Sequence, residues 1–153
     1  MLPAHLLLKT YLFVAFFYSS FSLATCWRLA EETYGIDARL LHAIAVAESS
    51  LVADVKNINS NGTYDTGLMQ INSIHLPRLK ALGVTESMLI TNPCVSLMVG
   101  ASILSDMIAR YGYGWEAVGA YNAGTSKNRQ ELRRKYAIKI SKIYTQNTGR
   151  MPW

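Results

Sequence analysis

Asn92-Pro93 is the pair that most constrains how this chain folds. An Asn side chain accepts from the unpaired N–H groups that open a helix, and Pro suits the first helical position because its missing N–H has no partner there anyway. The run that follows is unbroken until Gly112 and Gly114, so the pair predicts a long helix from Pro93 to about Tyr111. Other helices follow from similar punctuation. Trp27 to Tyr34 reads as a short helix stopped by Gly35. Asp37 caps a second, from Ala38 to about Ser49, with Leu40, Leu41, Ile44 and Ala45 at helical spacing. A helix is expected to begin near Gly67 and run to about His75, and Thr85 to cap a short turn through Leu89. Trp115 to Asn122 forms another, closed by Gly124, and residues 128–144 make the last. Between Val55 and Thr66 the composition turns polar, and Asn61-Gly62 followed by Thr63 and Tyr64 predicts a small β-hairpin or ordered loop. The expected fold is mainly α (α+β), with one small β excursion.

The 153 residues suit one domain, and neither repeat nor linker divides them. At 50% hydrophobic and 16% charged, the chain can form a core and is not a disordered tail. Its formal charge of +5 is spread thinly, thickening in Lys127, Arg129, Arg133, Arg134, Lys135, Lys139 and Lys142. Such a run is either the solvated face of a helix or an attraction for an anionic polymer, such as a carboxylate-rich cell wall. With no recognised binding motif beside it, nucleic acid is not the expected partner.

Residues 1–24 read as a secretory signal: Lys9, then the apolar stretch Tyr11 to Tyr18, then Ser22-Leu23-Ala24 ending in a small residue. Ser19, Ser20 and Ser22 interrupt the segment short of the roughly 20 apolar residues a membrane anchor needs. The expected organisation is a cleaved signal at 1–24, a domain at 25–146 and a flexible tail at 147–153, exported to the periplasm without a stable anchor. Cys26 and Cys94 then remain, either as buried thiols or, as an oxidising compartment permits, as a disulfide.

Glu48 carries the chemical signal. It lies four residues after Ile44 and seven after Leu41, on the apolar face of its helix. Carboxylates avoid such faces, and desolvation there raises the pKa as a general acid requires. Spacing alone nominates it, since a helix-terminal Glu also turns outward or pairs with an Arg.

Three segments sharpen the reading: Glu48-Ser49, Gly67-Leu68-Met69-Gln70-Ile71-Asn72, and Ala120-Tyr121-Asn122-Ala123-Gly124, in that order. Together they closely resemble the motifs of the SLT-type lytic transglycosylases, enzymes of lysozyme-like (goose-type) fold. The likeness is greatest to the small specialised members that accompany type III secretion systems, with relatives in conjugation and pilus systems. It runs from about Cys26 to Tyr144, and Cys26-Trp27 with Asn92-Pro93-Cys94 fits that subgroup and supports the disulfide. The resemblance implies peptidoglycan glycan strands as substrate, Glu48 as catalytic acid and base, and a 1,6-anhydro-muramoyl product without cofactor. It implies that Ser49, Met69, Gln70, Asn72, Tyr121 and Asn122 line the substrate cleft, with Tyr121 orienting the glutamate. Core packing serves equally for Met69 and Ile71, a buried structural role for Tyr121, and a helix stop for Asn122 and Gly124. Components of a secretion, conjugation or pilus machine are the implied protein partners. A hydrolysing muramidase, or a wall-binding assembly factor with little chemistry, fits the same motifs.

Asp65 stands 17 residues after Glu48, the separation of the acid and the stabilising carboxylate in lysozyme. It serves either as an electrostatic stabiliser of oxocarbenium-like charge or as a turn-forming residue of the hairpin. His42 and His75 have no metal-ligand spacing around them, and no phosphate-binding Gly-rich loop or serine-nucleophile elbow is present.

Overall fold

The computed structural model describes residues 23–148. The expected signal up to residue 22, and the tail from 149 onward, lie outside the described residues. Helix α1 occupies 23–34 and ends at Gly35, whose φ of +65° a left-handed turn requires. Helix α2 is Ala38–Ser49, capped by the Asp37 carboxylate accepting from the Arg39 N–H at 2.8 Å. Its Leu40, Leu41, Ile44 and Ala45 are fully buried, each large side chain contributing about 1.5–3 kcal/mol. Helix α5, Pro93–Tyr111, begins as its capping pair predicts: Asn92 Oδ1 accepts from the N–H groups of Cys94 and Val95. A disulfide joins Cys26 of α1 to Cys94 of α5.

Three antiparallel strands interrupt the helices: β1 (Lys56–Ile58), β2 (Tyr64–Thr66) and β3 (Ile71–Asn72), in that order across the sheet. Asn57 pairs with Asp65, and Asp65 with Asn72. Gly62 turns the hairpin at φ +82°, and the Asn61 side chain accepts from Thr63 N–H at 3.1 Å. Tyr64 and Lys56 anchor the hairpin through Glu86 of α4 (Glu86–Thr91), at 2.9 and 2.7 Å.

The helix expected from Gly67 to His75 does not form. Gly67 and Gln70 both have positive φ, +79° and +48°, which an α-helix excludes. Gly67 is also irreplaceable on steric grounds, since a Cβ there would lie 2.2 Å from the Leu89 carbonyl oxygen. The segment makes a tight turn, β3, a single 3-10 turn over Ser73–His75 capped by Asn72, and then α3, Leu76–Ala81, with Pro77 in its first turn. Thr85 does cap, but it opens the full helix α4 rather than an isolated turn.

Helices α6 (Trp115–Ala123) and α7 (Gln130–Thr148) close the domain. Gly119 lets them touch, for a Cβ would stand 2.4 Å from the Arg133 carbonyl oxygen. Arg133, itself 6% exposed, binds Glu116 at 2.6 Å and the carbonyls of Gly124 and Ser126, fixing the turn after α6. Helix α7 passes Tyr144, where it was expected to stop, because no Gly or Pro intervenes before Gly149. Its Tyr136, Ile140 and Tyr144, four residues apart, form the buried stripe facing the core.

Candidate active site

Helix α2, the sheet, the Ser73–His75 turn and α6 enclose a trough of about 660 Å³, lined largely by polar residues. Glu48 lies on it in the last turn of α2. Its helix stops immediately afterwards because Ser50 and Leu51 take left-handed φ values of 54° and 65°. The residue therefore sits at a helix end, half-buried, on the helix face that carries the buried Leu41 and Ile44. Burial is the main reason its pKa is raised; a hydrogen bond from Tyr136 and the charge of Lys139 oppose that shift, and Asp65 adds to it. Tyr136 Oη donates a hydrogen bond to Glu48 Oε1. The tyrosine is nearly buried, and its own pKa is pushed up by burial and by the neighbouring carboxylate.

Tyr136, not Tyr121, therefore holds the glutamate. Tyr121 donates its hydroxyl to the Met69 carbonyl at 2.8 Å, tying α6 to the Gly67–Gln70 turn, while still facing the trough. Periodicity offered a signal for Tyr136, since it opens the Tyr136-Ile140-Tyr144 stripe. It did not say which of several buried tyrosines meets the acid.

The other expected cleft residues divide between the trough and the framework behind it. Ser49 is buried, and its hydroxyl donates to the Leu68 carbonyl at 2.7 Å, fastening α2 to the same turn. Met69 is fully enclosed against Gly100, so its side chain cannot reach substrate. Gln70 borders the trough, yet its amide is spent inward: Nε2 donates to the Gly67 and Val55 carbonyls, and Oε1 accepts from Asn57 at 2.7 Å. Of these three, Ser49 and Met69 are enclosed in the framework, while Gln70 lines the trough with its amide hydrogen-bonded inward. Asn122 lies on the trough with its side chain exposed.

Asp65 stands within strand β2, not in the hairpin turn, and lines the same trough as Glu48. Asn59 Nδ2 donates to its Oδ2 at 2.9 Å and Asn72 Nδ2 to its Oδ1 at 2.7 Å. Asn72, opposite Asp65 in register, also caps the Ser73–His75 turn through Oδ1, so one side chain orients the carboxylate and starts the next element. Two amide donors on two carboxylate oxygens orient the Asp65 side chain on the trough that Glu48 also lines.

A mainly helical domain with a small sheet, holding one water-poor acid beside a polar trough, has the make-up of the lysozyme-like class. The solved structure of an inactive mutant of the lytic transglycosylase Slt from Pseudomonas aeruginosa superimposes with a TM-score of 0.62 at 21% identity, over 82% of this chain and 24% of that one. Residues 25–144 match the family model of the transglycosylase SLT domain, and the chain belongs to that family of lytic transglycosylases. Invasion protein IagB of Salmonella typhimurium is 52% identical over 126 residues, covering 82% of this chain and 79% of its own. Protein IpgF of Shigella flexneri is 48% identical over 121 residues, covering 79% and 80%.

Proposed function

We propose that this protein cuts the β-1,4 bond between N-acetylmuramic acid and N-acetylglucosamine in peptidoglycan without consuming water. The observation that carries this reading is the Glu48 carboxyl, desolvated by α2, gripped by Tyr136 and open to the trough. Protonated Glu48 gives its proton to the glycosidic oxygen as the C1–O bond breaks and the N-acetylglucosamine hydroxyl departs. The resulting carboxylate then takes the proton of the muramoyl C6 hydroxyl as that oxygen closes on C1. The product is a 1,6-anhydro sugar, and the acid is regenerated. Burial favours the protonated form of Glu48 that the first step needs, and the Tyr136 hydroxyl stabilises the anion between the two steps. Asp65, held by Asn59 and Asn72, stabilises the positive charge developing at C1.

The site of action in this reading is the periplasm, where the enzyme opens the wall locally for a type III secretion, conjugation or pilus apparatus. Family membership, the likeness to IagB and IpgF, and a net positive charge that suits an anionic wall support it. A second reading, hydrolysis by a muramidase, is favoured by the paired carboxylates Glu48 and Asp65 on one trough. Mass spectrometry of digested peptidoglycan decides. Anhydromuramoyl ends are expected, lost in Glu48→Gln; reducing ends from the wild type would replace the proposal with the muramidase. Undiminished clearing by Glu48→Gln would remove the catalytic assignment altogether.

A further inference from the structure

Neighbouring residues on a strand point to opposite faces of a sheet, so the hairpin that carries Asp65 has a front and a back. Asp65 lines the trough; Tyr64 and Lys56 stand on the other face and line none of it. The outer strand buries nothing, since all three residues of β1 are exposed. A hairpin this short is marginal in water by itself. Yet β1 leads directly into Asn59, whose amide donates to Asp65 Oδ2 at 2.9 Å. Across the back of the hairpin, the tie to the helical body is one carboxylate. Glu86 Oε1 accepts from Lys56 Nζ at 2.7 Å and Glu86 Oε2 from the Tyr64 hydroxyl at 2.9 Å, so each strand gives one donor to one oxygen. Lys56 Nζ also lies 3.8 Å from the centroid of the Tyr64 ring, which closes the three groups on one another. Glu86 is itself well placed to hold them. It opens α4 behind the Thr85 cap, and Leu89, three residues on, is fully buried.

We propose that Glu86 is a positioning residue: from behind the sheet it sets where the hairpin wall of the trough, and with it the Asp65 carboxylate, stands relative to Glu48. The proposal rests on the stabilising role given to Asp65 and says what keeps that role in place. Glu86 does not line the trough, so it acts through the strands and not on the sugar. One exposed ion pair contributes little, but a carboxylate that holds two strands at once restrains both in the same geometry. With that carboxylate gone, the hairpin loses its tie to α4, Asn59 shifts from Asp65, and the anion is no longer aimed at the reacting carbon.

The test compares the mature protein with its Glu86→Gln variant on peptidoglycan strands, each with and without Asp65→Asn. The amide keeps one acceptor oxygen and turns its NH₂ toward the second donor, so one strand is released. Where the wild type cuts, Glu86→Gln should lower kcat about tenfold with KM little changed, within the roughly 100-fold set by losing the Asp65 charge altogether. In the Asp65→Asn background the same change should cost less than about twofold, because the group it positions is already gone. Equal losses in both backgrounds, or no loss in either, overturn the proposal. Carboxyl-carbon NMR of Glu48 gives a readout that needs no cleavage. The Asp65 charge helps to raise the Glu48 pKa, so displacing it lowers the titration midpoint of Glu48. That midpoint should fall in Glu86→Gln and also in Tyr64→Phe, which opens one bond of the tie and removes no charge. A fall in both upholds the positioning role even where no strand is cut, in which case the cleavage reading alone falls. A midpoint unmoved in Tyr64→Phe refutes the role, whatever Glu86→Gln does through its own charge.

Discussion

Tyr136→Phe removes one hydroxyl and little else, and so isolates what holds the acid. The ring is nearly buried in the α2–α7 interface and keeps its packing in the variant, so the fold should persist. What disappears is a hydrogen bond to an ionisable carboxyl, a class worth about 1.5–3 kcal/mol. If that bond both aims the carboxyl and stabilises the anion left after proton donation, kcat should fall about 10- to 100-fold, at roughly 1.4 kcal/mol per factor of ten. The pH profile gives a second signature. Burial raises the Glu48 pKa, and the Tyr136 hydrogen bond is the largest of the effects holding it down. Removing the donor lets it rise, so the alkaline limb of kcat/KM, where the acid loses its proton, should move to higher pH as the overall rate drops. Soluble glycan fragments, assayed by product chromatography between mildly acidic and alkaline pH, would show both effects. A variant with wild-type kcat and an unmoved limb refutes the role given to Tyr136. A lower rate with an unmoved limb leaves it an aiming residue without electrostatic effect.

Glu48→Gln should abolish cleavage yet raise the thermal midpoint at neutral pH, because a neutral amide avoids the cost of a buried charge. A carboxyl with a raised folded-state pKa adds stability at low pH and loses it as pH rises through that pKa, so the gain should vanish below about pH 4.5, the unperturbed value. Asp65→Asn places a donor NH₂ against the amide of Asn59 or Asn72 and removes the anion; a folded variant should lose about 100-fold in turnover, and wild-type rates would leave Asp65 a structural strand residue. Replacing Cys26 and Cys94 with Ser opens a crosslink 68 residues apart in sequence, which should cost about 4 kcal/mol in denaturant unfolding on the chain-entropy account.

Local signals in the sequence settled most helix boundaries. Asp37, Thr85 and Asn92 each cap where a side-chain acceptor meets the first free N–H groups, and that chemistry depends on a few adjacent residues. The hairpin at Asn61-Gly62 was legible for the same reason. The segment after Gly67 was not, because its apolar residues suit a helix, and what forbids one is the Leu89 carbonyl, brought beside Gly67 only by folding.

Sequence order also singled out Glu48, through its place on an apolar helix face, and the family motifs that surround it. It did not distinguish residues that touch the trough from residues that build it. Ser49 and Met69 sit in those motifs yet are buried, and Gln70 lines the trough while its amide bonds inward, since a turn with left-handed Gly67 and Gln70 must satisfy its own buried polar groups first. Partner choice belonged to the tertiary structure as well. Tyr136 stands 88 residues from Glu48, and it meets the acid because α7 packs across α2 while the Gly67–Gln70 turn claims Tyr121. A contact over that separation is decided by how helices pack, and no short stretch of sequence encodes it.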